Sequence, residues 1–155
     1  RRHETPLLEK AIDCRRAALQ VITRDRKPSE WARIQSNLGE TLTVVCELEP
    51  GTSRLDDALA ALHEALKERS RERSLLLWAQ TQEKLARAHW AYFNKSGDLA
   101  QFNYARKAIG GAIKGFCVAK AQSGVDRARR LRDQMLNRPP RILKETIGSS
   151  IIHTY

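Results

Sequence analysis

Apolar residues recur along this chain at helical spacing, and no alternating strand pattern competes with them. Leu8, Ala11, Ile12, Ala18 and Leu19 form one stripe over a predicted helix from about Pro6 to Ile22, where proline suits the opening turn. Lys27-Pro28-Ser29 breaks that pattern. Ser29 reads as the N-cap of a second helix to about Leu48, with Trp31, Ile34, Leu38, Leu42 and Val45 facing inward. Glu49-Pro50-Gly51-Thr52-Ser53 is a turn, with Ser53 the cap of a third helix over about Arg54 to Arg69. There Leu55, Ala58, Leu59, Leu62, Ala65 and Leu66 follow i, i+3, i+4 spacing. A fourth helix begins near Ser74 and ends at Asn94-Lys95-Ser96-Gly97-Asp98. A fifth covers about Leu99 to Lys120, and a sixth, after Ser123-Gly124, about Val125 to Leu136.

The stripes repeat. Trp31-Ala32-Arg33-Ile34-Gln35-Ser36-Asn37-Leu38-Gly39 returns 47 residues later as Trp78-Ala79-Gln80-Thr81-Gln82-Glu83-Lys84-Leu85-Ala86. Thr23-Arg24-Asp25-Arg26 returns as Ser70-Arg71-Glu72-Arg73, and Ala11 and Ala18 return as Ala58 and Ala65, then as Ala105 and Ala112. A period of this length signals a stack of helical units, none of which buries its apolar face alone. Such chains mostly bind other molecules.

The Trp-x6-Leu-Gly helix, a short turn and an Ala-x6-Ala helix resemble the tetratricopeptide repeat in an extended form. That form is found in bacterial signalling and scaffold proteins and is related to kinesin light chain repeats. The resemblance runs over roughly residues 5–120 and fades in the last helix, where Val125 stands in the tryptophan's place. It implies an all-α, right-handed α-α superhelix of about six antiparallel helices over residues 1–137, followed by a tail, 138–155. Arg127, Arg129, Arg130, Arg132 and Asp133 read as a polar capping face on the final helix. Arg1 opens the chain inside a unit, so a fragment of a larger protein is expected. An unpaired first helix would then leave Ile12 and Leu19 to drive self-association. Gly148-Ser149-Ser150-Ile151-Ile152 is read as lying outside the repeat.

Apolar residues are 41% and charged residues 30%, which fits a helical protein with a solvated face. No run is long enough to span a bilayer, and no membrane partner is expected. Cys14, Cys46 and Cys117 lack any CxxC spacing and read as reduced, buried thiols of a cytoplasmic protein. The net charge of +10 is uneven: residues 1–95 hold 17 basic against 14 acidic residues, residues 96–155 hold 11 against 4.

No constellation for catalysis, metal or cofactor can be assembled. His63-Glu64 has no second histidine to complete a zinc motif, and His3, His89 and His153 are dispersed. Gly110-Gly111-Ala112-Ile113-Lys114-Gly115 lacks the Lys-Ser/Thr ending of a phosphate loop and reads as close helix packing. Asp56-Asp57 suits a helix N-terminus. The Arg-Asp/Glu-Arg element reads as C-terminal helix capping with local pairs to Asp25 or Glu72. A recurrent anion site is its alternative.

In proteins of this resemblance, the first helix of each unit lines a concave groove. The side chains left for it are Arg33, Ser36, Asn37 and Glu40; then Gln80, Glu83, Lys84, Arg87 and Trp90; then Arg127, Arg130 and Gln134. Asn37 matches an asparagine that family members use to grip a peptide backbone, and Lys84 replaces it in the next unit. Arg87, Arg127 and Arg130 make one end basic, and Trp90 is an aromatic anchor. A peptide with an acidic stretch suits these groups. The competing reading is nucleic-acid binding through Lys107, Lys114, Lys120, Arg127, Arg129, Arg130, Arg132, Arg138, Arg141 and Lys144.

Overall fold

The computed structural model describes residues 4–137, all of them helical or in the short turns between helices, with no strand. The six helices are α1 (Glu4–Val21), α2 (Pro28–Leu48), α3 (Ser53–Leu66), α4 (Leu75–Ser96), α5 (Leu99–Val118) and α6 (Gln122–Asn137). The tail from residue 138 on, with its glycine-serine segment, lies outside the described residues.

Local chemistry explains most boundaries. Pro28 sits in the first turn of α2, where its missing N–H is no loss. Lys27 occupies the cap position without a side-chain bond, so Ser29 lies inside the helix rather than capping it. Ser53 is likewise the first residue of α3, after Thr52. Ser74 and Asp98 do act as caps: their side-chain oxygens accept the N–H groups of Leu77 at 3.4 Å and Ala100 at 2.9 Å. Gly97 takes the left-handed conformation, φ +71°, and closes α4 through its N–H to the Phe93 carbonyl at 2.8 Å. α6 begins three residues before the expected Val125, because Gly124 belongs to its first turn. A Cβ there would stand 2.6 Å from the Phe116 ring.

Each helix packs on its neighbours in the chain. In addition α2 touches α4, and α4 touches α6. The odd-numbered helices do not approach one another in the same way. Long side chains bridge them instead, Arg54 to Glu9 at 2.7 Å and Arg16 to Asp57 at 3.3 Å. The even helices therefore form the tighter row. Close approach within a pair depends on small residues: a Cβ on Gly39 would lie 2.6 Å from Leu62 Cγ and 2.8 Å from the Ala58 carbonyl oxygen.

Two expectations need correcting. Ile12 is fully buried against α2 and Leu19 is partly covered, so these two are not the apolar surface that α1 leaves open. The exposed apolar residues of α1 are Leu7 (71%) and Val21 (73%). Of the thiols only Cys46 is buried, while Cys14 and Cys117 are exposed and all three are unbridged. Two arginines of the repeated Arg-Asp/Glu-Arg element pair with Glu68 and not with Asp25 or Glu72; for Arg24 that carboxylate lies in the next unit, for Arg73 in the same turn. Arg24 reaches Glu68 at 2.6 Å, and Arg73 also pairs with Glu68. Two arginines on one carboxylate hold the Glu68 pKa below the usual range, the Arg24 hydrogen bond being the largest cause.

Candidate functional site

The even helices enclose one cavity of about 620 Å³. α2 contributes Glu40, Thr43 and Glu47; α4 contributes Gln80, Glu83, Lys84, Arg87 and Trp90; α6 contributes Arg127, Arg130, Leu131 and Gln134. Helical periodicity places each set on one face, and the stacking of the even row brings the three faces together. Nine of the residues anticipated for a groove thus converge: Glu40, Gln80, Glu83, Lys84, Arg87, Trp90, Arg127, Arg130 and Gln134.

Three do not. Ser36 is fully buried in the packing between helices and does not line the cavity. Arg33 and Asn37 line a separate hollow of about 330 Å³ with Ala11, Cys14, Arg15, Ala18 and Ile34. Arg33 leans toward Glu30 at 3.8 Å. Asn37 nevertheless touches the main site, since its Oδ1 accepts from Lys84 Nζ at 3.3 Å.

Electrostatics change the expected character of the groove. Lys84 pairs with Glu40 at 2.8 Å. Arg87 grips Glu47 with two bonds, 2.9 and 2.5 Å, and Arg127 grips Glu83 with two at 2.7 Å. These forked pairs are the strong geometry for guanidinium and carboxylate. They raise the pKa of both arginines, the bond to glutamate being the largest cause and burial opposing it. Three of the four cations are therefore matched across helices. Among the described residues Arg130 has no carboxylate within pairing distance. The site is a zipper of cross-helix pairs with one unmatched cation, beside the apolar surfaces of Trp90 and Leu131.

Glu47, Thr43 and Leu131 were not anticipated. The signal for the first two was present: the stripe through Glu40 continues one and two turns on to Thr43 and Glu47. Leu131 lies one repeat after Lys84.

The cations suggested for nucleic acid are divided. Arg127 and Arg130 face the cavity, Arg132 pairs with Asp133 at 3.0 Å, and Lys107 and Lys114 lie exposed on α5. Arg138, Arg141 and Lys144 lie outside the described residues. The glycine-rich stretch is interior to α5. Gly111 and Gly115 admit the Trp78 ring, where a Cβ would come within 3.2 Å, whereas Gly110 faces open space. Among the described residues no three His, Cys, Asp or Glu side chains are placed to hold a metal. Nor is any described helix long and apolar enough to cross a membrane.

Compared with family models, curated proteins and solved structures, the chain gives no match in any of the three.

Proposed function

We propose that this chain is a protein-interaction module of the tetratricopeptide type, which holds a segment of a partner protein between α2, α4 and α6. One observation carries the reading: three repeat-related helices line a single cavity that combines an apolar anchor surface, Trp90 and Leu131, with fixed polar groups. The cross-helix ion pairs hold that surface in one shape before a ligand arrives, which lowers the ordering cost of binding. Its four cations against three carboxylates, with Arg130 unmatched, favour a segment carrying an acidic residue. Specificity comes from complementarity and not from chemistry. The unbridged cysteines fit a reducing compartment such as the cytoplasm.

The test is affinity capture with the chain, with Arg130→Glu and with Trp90→Ala, each with and without nuclease. A protein partner retained after nuclease and lost with either substitution supports the groove. Undiminished capture by both variants overturns it. Material that disappears with nuclease assigns the basic helices to nucleic acid instead.

A further inference from the structure

Arg69 follows α3, its N–H still bonded to the Ala65 carbonyl at 3.0 Å, and its side chain turns inward to leave 7% exposed. The repeat shows how unusual this is. Ile22 occupies the position one unit earlier and Phe116, almost fully buried, the position one unit later. A guanidinium stands in a corner that is otherwise apolar. Buried charge is stable only when paired and hydrogen-bonded. Yet the one side-chain bond of Arg69 is a long contact, 3.5 Å, from Nη1 to Thr81 Oγ1. Its Nε has no partner, and no carboxylate among the described residues pairs with it.

Repeat register shows what is missing. At the α4–α6 contact, Glu83 accepts from Arg127, whose guanidinium lies 5.6 Å above the Phe116 ring. One unit earlier those three places are held by Ser36, Gln80 and Arg69. By that register serine takes the place of the Glu83 carboxylate, and the Ser36 Oγ is buried without a partner. Arg33, one turn before Ser36 on α2, adds a second positive charge. Burial chiefly, and Arg33 next, push the Arg69 pKa down. The corner thus holds unmet donors on a cation, an unmet hydroxyl and, at its edge, a second cation that leans toward Glu30, while among the described residues no carboxylate bonds Arg69 itself.

We propose that this corner binds one oxyanion, a carboxylate or a phosphate, on Arg69, with the Ser36 hydroxyl beside it and Arg33 toward solvent. Gln80, which lines the main cavity, lies in the same register layer. The anion therefore arrives either free from solution or as a side chain of a segment in the groove.

The Nε–H resonance of Arg69, identified by its loss in Arg69→Lys, is followed by NMR. The chain is titrated with inorganic phosphate, with acetate and with acetyl-Ala-Glu-Ala-amide, ionic strength being held constant with chloride. A saturable shift with phosphate or acetate establishes a site for free anions. A shift with the peptide alone assigns the anion to a chain-borne carboxylate. At a hundredfold excess over Kd, the effective anion should raise the melting temperature by roughly 5–10 °C. No saturable response to any of the three probes overturns the proposal. So does an anion-dependent rise that persists in Arg69→Met, whose side chain suits a place held elsewhere by isoleucine and phenylalanine. Should that variant not fold, the resonance in the unaltered chain still decides. Because no groove partner is needed, failure here is distinguishable from failure of the groove itself.

Discussion

The guanidinium of Arg71 lies 4.9 Å from the ring centroid of Trp78, and one repeat earlier Arg24 lies 5.9 Å from that of Trp31. Each arginine closes the turn before an even helix by covering the tryptophan that opens its apolar stripe. In the third unit both partners change together, to Val118 and Val125. A partly exposed pair of this kind contributes about 0.5–1 kcal/mol. A double-mutant cycle on Arg71→Ala and Trp78→Leu, read by chemical denaturation, should return a coupling of that size. Additive effects would show that the two merely lie close.

Two glycines should respond oppositely to the same methyl group. Gly39→Ala drives a Cβ into Leu62 and the Ala58 carbonyl, and overpacking of this kind costs about 1–3 kcal/mol. Gly110→Ala meets nothing within 4 Å in a helical backbone, so it should stabilise by about 0.5–1 kcal/mol. Thermal melts of both variants decide. A loss of stability in Gly110→Ala would mean that its surface is covered by something in solution.

The repeat made the helices and the even-helix cavity legible, because one period fixes both which residues are buried and which faces coincide. What periodicity could not show was pairing between units. Lys84 with Glu40 and Arg127 with Glu83 are both 44 residues apart, an offset set by helix stagger and not by the 47-residue repeat. The arginines therefore read as free charge. Ser36 failed for a related reason: it shares a face with Arg33 and Glu40, but serine is small enough for the next helix to cover it. Boundaries slipped where a residue suited two positions, as Ser29 and Ser53 suit both a cap and a first turn.

Stability should fall below neutral pH through His89. The ring is half-buried, with Nδ1 2.7 Å from Gln101 Oε1 and Tyr104 tilted against it at 5.3 Å. Burial is the largest influence and lowers its pKa, with the Gln101 bond opposing. The unfolded imidazole then takes up its proton first as pH falls. The contribution is complete above about pH 6.5, the ordinary value, and is lost as pH drops from there through the folded pKa. Comparing melts at pH 7.5 and 5.5, His89→Gln should lose less stability than the unaltered chain. Equal losses would place the acid sensitivity elsewhere.

Thiol reactivity should separate the three cysteines. Burial raises the Cys46 pKa, and its Sγ lies 3.2 Å from the Gly51 carbonyl oxygen that its S–H faces. Cys14 and Cys117 are exposed. With a chromogenic disulfide reagent, two thiols should react promptly and the third only at the rate of opening, becoming prompt in denaturant. Three prompt thiols in the folded chain would contradict the packing of the α2–α3 turn.

The Glu83–Arg127 pair should govern the charge of the cavity more than the stability of the fold. Arg127 is half exposed, so the pair contributes about 0–1 kcal/mol after screening, despite its forked geometry. Glu83→Gln keeps the shape and one acceptor while releasing a full positive charge beside Arg130. The melting temperature should change by no more than a few degrees. Affinity for a captured acidic segment should rise, and fall off more steeply with salt. If affinity instead falls, Glu83 is itself a contact for the partner, and the segment meets the groove through a positive residue at that point.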